Sequence, residues 1–205
     1  MQAVFLDMEG LTIEALVAVA RQGAQARLSA AAEARIAAGR ALVERWVREE
    51  RRIYGVTTGF GALSDVAISG KDTRRLQENI LKSHAAGVGR PFDAEIVRAT
   101  MTLRVKDFAR GHSGIRLETA QQLIELLNRG VVPVIPEKGS VGASGDLAPL
   151  AHLALVLLGE GEAVFNGRKM SGADALKACG LAPIQLQSAE GLALVNGTQV
   201  MTAIG

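Results

Sequence analysis

Apolar residues recur at helical spacing along most of this chain, and the breaks between periodic stretches are rich in glycine and proline. Residues 2–6 read as a short strand. Thr12 is suited to cap a helix running to about Gln22. Ser29 starts a long Ala-rich helix in which Ile36, Ala37, Leu42, Val43, Trp46 and Val47 recur at helical spacing, and the charged run Arg48-Glu49-Glu50-Arg51-Arg52 ends it. Tyr54 to Ser64 carries three glycines and no helical period, so it reads as a loop. Helix resumes near Asp72 and is expected to stop at Gly87, a residue suited to the left-handed position after a helix. Pro91-Phe92-Asp93 introduces a helix to about Arg110, and another spans about Leu117 to Asn128, closed by Gly130. Residues 131–136 contain two prolines and are extended. The Gly-rich segment 139–145 leads into the most apolar helix, about Asp146 to Leu158. Residues 163–170 form a hairpin turning at Asn166-Gly167, and a short helix covers about 172–179. From about Glu190 a buried apolar helix is expected to continue to Gly205. The predicted class is mainly α, with small β-hairpins and Gly-rich loops.

Composition changes that picture in one respect. Of the 205 residues 48% are hydrophobic but only 3% aromatic, so Ala, Leu, Val and Ile must fill the core. Tyr54 is the one tyrosine, and it stands in a Gly-rich loop. The net charge of +2 comes without a basic block, and Arg51-Arg52 and Arg74-Arg75 read as solvated helix faces, not a nucleic-acid track. The single cysteine, Cys179, allows no internal disulfide and fits a reducing compartment. No basic leader precedes an apolar run, and no stretch reaches the roughly 18 apolar residues of a membrane span, so a cytoplasmic protein is expected. Three separated histidines and one cysteine have no metal-ligand spacing. No Gly-rich stretch ends in the Gly-Lys-Ser/Thr of a phosphate loop. Gly142-Ala-Ser-Gly and Gly111-His-Ser-Gly lack the Gly-x-Ser-x-Gly spacing of a serine hydrolase.

The candidate chemistry lies in Gly139-Ser-Val-Gly-Ala-Ser-Gly-Asp-Leu-Ala-Pro-Leu-Ala-His152, centred on Ala143-Ser144-Gly145. In a sharply bent backbone the Gly145 amide nitrogen can attack the Ala143 carbonyl carbon and close a five-membered ring. A Cβ at residue 145 would crowd that approach. Loss of water from the adduct gives an imidazolone, and loss of a second water from the Ser144 side chain gives an exocyclic methylene. The product is an electrophile made from the chain alone. Asp146 opens the next helix, whose N-terminal dipole end favours negative charge. A bare Ala-Ser-Gly is an ordinary turn; the fourteen-residue context makes it more.

That context resembles the signature of the aromatic amino acid ammonia-lyases. Four further segments resemble the same family in the same order: Tyr54-Gly-Val-Thr-Thr-Gly-Phe-Gly61, Leu76-Gln-Glu-Asn-Ile-Leu-Lys-Ser-His-Ala-Ala-Gly-Val-Gly89, Gly111-His-Ser-Gly-Ile-Arg116 and Glu190-Gly-Leu-Ala-Leu-Val-Asn-Gly-Thr198. The resemblance implies the N-terminal domain of the ammonia-lyase (fumarase/aspartase-like) fold over residues 1–205. It implies that Ala143, Ser144 and Gly145 form 4-methylidene-imidazol-5-one (MIO), with no metal and no pyridoxal phosphate. Tyr54 matches the loop tyrosine that removes the β-proton, a task for which the site must favour phenolate or close over it. Asn196 matches the asparagine that hydrogen-bonds near the ring and the substrate amine. Ser83-His84 stands at the pair that reads the substrate side chain and resembles the histidine-specific members, since one imidazole can hydrogen-bond another. His112 lies where relatives often carry Tyr, and Lys106-Asp107 where they often show Asn.

The reaction implied is non-oxidative loss of ammonia from L-histidine to give trans-urocanate, with attachment of the ring to the substrate amine or to its aromatic ring left open. Family members are much longer and work as homotetramers, with a second tyrosine, an arginine and an acidic residue supplied by the later half. The apolar stretch up to Gly205 therefore reads as a chain truncated before the central helical bundle is complete, and the 205 residues alone are expected to be inactive. Two alternatives remain: a tyrosine or phenylalanine lyase or aminomutase of the same family, and a non-catalytic fragment or one half of a split enzyme.

Overall fold

A computed structural model describes residues 3–59, 70–140 and 145–205. The chain opens with β1 (Val4–Leu6), α1 (Ile13–Gln22), β2 (Ala26–Leu28) and α2 (Ala30–Arg48). Thr12 and Ser29 cap the two helices as expected, their hydroxyls accepting the Ala15 and Ala32 amides at 3.2 and 3.0 Å. β1 and β2 pair in parallel, Val4 opposite Ala26 and Leu6 opposite Leu28, with α1 as the crossover. The sequence pattern had no signal for β2, a three-residue strand too short to show alternation.

The remaining elements are α3 (Gly70–His84), β3 (Val88–Pro91), α4 (Ala94–Phe108), α5 (Leu117–Asn128), β4 (Val132–Pro133), β5 (Pro136–Lys138), α6 (Leu147–Leu157), β6 (Glu162–Phe165), β7 (Arg168–Ser171), α7 (Gly172–Ala178), α8 (Glu190–Val195) and α9 (Gln199–Ile204). α4 packs against α1, α5 and α9, while α6 packs against α3, α7 and α8. That explains α6: covered on several sides, it buries Leu150, Leu153, Val156 and Leu157 completely. With Met101, Val105 and Phe108 of α4 and Leu123, Leu126 and Leu127 of α5 they form one continuous core. Each such side chain contributes about 1.5–3 kcal/mol by burial.

The small sheets set spacing more than they add mass. β6 and β7 form the hairpin at Asn166-Gly167, and β4 joins its edge. β3 runs antiparallel to β5 with Val88 opposite Lys138, which brings residues 85–89 beside the start of the Gly-rich segment.

Two expectations are corrected. α3 ends at His84, and Gly87 is not in the left-handed conformation expected of a terminator. Its smallness serves a close contact instead: a Cβ there would stand 3.1 Å from His152 Nε2 and 3.3 Å from the Lys138 carbonyl oxygen. The apolar stretch from Glu190 is not one helix. It breaks at Asn196-Gly197-Thr198 into α8 and α9, and on α9 only Val200 is buried while Met201 and Ile204 are exposed.

Candidate active site

Tyr54 sits in a tight turn after α2. The Val56 and Thr57 amides donate to the Ile53 carbonyl, the Ile53 amide donates to Thr57 Oγ1 at 2.9 Å, and Gly55 takes a positive φ of 71°. A satellite cluster holds this turn in place: Val56 packs with Val43 of α2 and Ala189, flanked by Trp46, Val47 and Ile53. The apolar face at the end of α2 thus seats the loop. Ala189 itself adopts φ 70°, an uncommon conformation for a residue with a Cβ, as it turns the chain into α8.

α8 is fixed at its first residue. Glu190 is fully buried, and its carboxylate accepts Arg116 Nε at 2.9 Å, Thr119 Oγ1 at 2.6 Å and the Arg116 and Gln187 amides at 3.1 and 2.8 Å. A carboxylate this desolvated is tolerable because its lone pairs are met and a guanidinium faces it. The motif ending at Arg116 is tied in this way to the motif beginning at Glu190. At the other end of α8 comes Asn196. A cleft of about 380 Å³ brings Asn196 together with Tyr54, Arg104, Asp107, His112 and Ser113.

Ala143 and Ser144 lie outside the described residues; Gly145 does not. A Cβ on Gly145 would stand 2.7 Å from the Gly197 nitrogen and 2.8 Å from its carbonyl oxygen, so the position admits no side chain. The Asp146 amide donates to the Gly197 carbonyl at 2.6 Å. Asp146 begins α6 but does not cap it with its side chain. The buried carboxylate accepts the Val200 and Met201 amides of α9, each at 3.0 Å, and the Ser140 hydroxyl at 2.8 Å. It therefore caps a different helix and joins both flanks of the triplet. Gly139, at the other flank, packs against Gly87, where a Cβ would lie 3.0 Å from the Gly87 Cα. The Gly87 amide in turn donates to His152 Nε2 at 3.0 Å, which gives that histidine a structural task.

Ser83 and His84 close α3, next to this second anchor and not among the residues lining the cleft. Ser83 Oγ donates to the Ile80 carbonyl at 3.1 Å, and His84 Nδ1 lies 2.8 Å from the same oxygen. Ser83 is exposed and His84 half-buried. Farther along α3, Gln77 Oε1 accepts the Gly191 amide at 2.8 Å, which registers α3 against α8.

Sequence reasoning missed Arg104. Its guanidinium is 2% exposed, donates to the Asn196 carbonyl at 2.7 Å, Gln199 Oε1 at 2.9 Å and Asp107 Oδ2 at 2.8 Å, and lies 4.7 Å above the Phe108 ring. Burial pushes its pKa down to about 10, and the Asp107 charge works against that. The signal was available: Arg104 falls on the same helical face as Met101, Val105 and Phe108, where a charge is out of place.

The profile of the aromatic amino acid lyases matches residues 11–205. The chain belongs to this family. It is 54% identical over all 205 residues to a histidine ammonia-lyase of Alkaliphilus oremlandii, covering 40% of that protein. Its fold superposes on histidine ammonia-lyase from Trypanosoma cruzi with a TM-score of 0.92 at 42% identity, covering 99% of this chain and 39% of that one. It superposes equally on a phenylalanine aminomutase of Pantoea agglomerans, TM-score 0.93 at 38% identity, covering 98% and 39%. The chain thus spans about 40% of the length of the curated relatives it matches. Among its described residues no helix is long and apolar enough to cross a membrane.

Proposed function

We propose that this chain is the N-terminal, MIO-bearing domain of a cytoplasmic, homotetrameric histidine ammonia-lyase, which converts L-histidine to trans-urocanate and ammonia in histidine catabolism. The observation that carries the reading is the packing of Gly145 against Gly197, the residue directly after Asn196, which lines the cleft together with Tyr54. Ring closure needs a residue 145 without a Cβ and a backbone bent between fixed ends. Gly145 meets the first need, and the Gly139–Gly87 and Asp146–α9 contacts fix the two ends.

MIO, formed from Ala143-Ser144-Gly145, supplies an electrophile that draws electrons from the bound amino acid. The work of the other residues is to hold and relay. Tyr54 offers a half-exposed phenol at the cleft for the β-proton, and the Asn196 carboxamide orients the amine. The assignment of Ser83 and His84 to an imidazole side chain rests on the family resemblance and on relatives that are named histidine ammonia-lyases, not on the lining of this cleft.

The test is intact mass followed by turnover. Wild-type chain is expected to weigh two waters less than encoded, with the deficit abolished in Ser144→Ala. In a protein of the relatives' full length, L-histidine should yield urocanate absorbance, and Tyr54→Phe should lower kcat by about 10²–10⁴. The 205 residues alone should turn over little or nothing. An unmodified wild-type mass overturns the MIO assignment; a β-amino acid product, or preference for tyrosine or phenylalanine, overturns the histidine assignment.

A further inference from the structure

We infer that Arg104 is the positioning residue of this site: one buried guanidinium fixes the Asn196-Gly197 turn, and through that turn both the Asn196 carboxamide and the backbone wall beside Gly145. The inference rests on the lyase reading above, in which Asn196 and Gly145 act together.

Among the described residues, backbone hydrogen bonds reach the turn from the Leu192 carbonyl and the Asp146 amide. α8 is six residues long and ends at Val195, so its last carbonyls have no partner within the helix. The Asn196 carbonyl is answered by Arg104 Nη1, and the same nitrogen reaches Gln199 Oε1 on α9, so one group bridges both sides of the break. The fit is flush: a Cβ on Gly197 would stand 2.3 Å from Arg104 Nη1 and 2.1 Å from Gln199 Oε1. On the far face of the turn, the Gly197 carbonyl accepts the Asp146 amide and its backbone blocks any side chain at 145. The turn is therefore contacted by the guanidinium at the Gly197 α-carbon and by Gly145 at the Gly197 backbone.

Space filling does not explain an arginine here. Methionine or leucine would fill the same volume on α4 without the cost of stripping water from a charge. What arginine adds is a rigid planar fork that serves separate acceptors at fixed angles. Asp107, on the same helix and partly open to the cleft, holds the other Nη and balances the charge. Nε has no partner among the described residues, so the fork is committed to the turn and to Asp107 at the expense of one of its own donors.

Hydrogen exchange on the full chain tests this, beside intact mass. Arg104→Lys keeps the charge but has one flexible nitrogen, which cannot hold Asp107 and both turn acceptors at once at the fixed angles of the fork. The amides of Asp146, Val200 and Met201 should then exchange roughly ten- to a hundredfold faster, the size of one hydrogen bond to a charged group. Amides of α5 should be unchanged, and the share of chains lighter by two waters should fall. Asp107→Asn, which leaves both Nη1 bonds in place, should have a much smaller effect on both readouts. If Arg104→Lys does not fold, Gln199→Ala decides the matter, because it removes one of the bridged acceptors and should raise exchange at the same three amides only. Unchanged exchange at 146, 200 and 201, or an equal rise throughout α5, overturns the positioning role. A wild-type chain that never loses two waters overturns the lyase reading instead and leaves the exchange result to decide Arg104 by itself.

Discussion

At its N-terminal flank the triplet segment is held by neutral groups: Gly139 lies against Gly87, whose amide donates to a half-buried histidine on α6. At its C-terminal flank it is held by charges: Gly145 lies against Gly197, with the Asp146 carboxylate on one side and the Arg104 guanidinium on the other. Both flanks use a glycine facing a glycine, but they differ in tolerance. At 139 a methyl group would meet a Cα at 3.0 Å and a Cβ at 3.1 Å, a milder overlap, although both glycines share a φ near 155° that strains any side chain. At 145 it would meet a backbone nitrogen and oxygen at 2.7 and 2.8 Å, on a turn that cannot retreat because Arg104 lies behind it. The difference teaches which anchor is tighter: under the proposed ring closure, it is the one at Gly145, which would supply the attacking nitrogen.

The sharpest way to break this asymmetry is alanine at each glycine. Gly145→Ala should cost about 3 kcal/mol or more in overlap and strain, and leave the chain at its encoded mass. Next in size is Asp146→Ala. It removes the acceptor of two α9 amides and of the Ser140 hydroxyl, and should cost about 2–3 kcal/mol as buried donors lose their partner. Chemical denaturation reads both changes, and exchange at Val200 and Met201 should locate the second on α9. Gly139→Ala carries the same backbone strain, at φ 155°, but less overlap, and should cost less than Gly145→Ala, about 1–3 kcal/mol, and leave ring formation detectable by mass. If the two glycine substitutions prove equal, the asymmetry fails.

Much of this was legible in the chain. Thr12 and Ser29 announced their helices because a hydroxyl before an apolar period has one good use. Asn166-Gly167 announced its hairpin for a similar reason. Gly87 misled, since the same residue type serves a helix end and a close backbone approach, and only the partner, here His152, tells them apart. The break at 196–198 was hidden for a related reason. Asn-Gly inside an apolar run is a weak stop, and what enforces it is Arg104, far away in sequence. The residues that resemble the family's site stood out through motifs around them. The buried groups that hold them, Arg104 and the Arg116–Glu190 pair, depend on contacts 92 and 74 residues apart, and nothing local names their partners.

The smallest expected effect sharpens the neutral end. His152 Nε2 can accept the Gly87 amide only while that nitrogen carries no proton, so the ring is neutral with its proton on Nδ1. Burial holds its pKa below the ordinary 6.5, because a charged imidazole would lose its water there. The native state therefore binds fewer protons than the unfolded chain, and stability rises with pH across this window. The contribution is complete above 6.5 and is lost as pH falls through the depressed native value. About 1 kcal/mol is at stake, the worth of one hydrogen bond. Denaturation midpoints compared at pH 7.5 and at about pH 5 should differ in wild type, and the difference should shrink in His152→Gln, whose amide oxygen can accept from Gly87 without titrating. An undiminished acid loss in His152→Gln would move the pH sensitivity away from the N-terminal anchor. The neutral end would then respond to acid no more than the charged one.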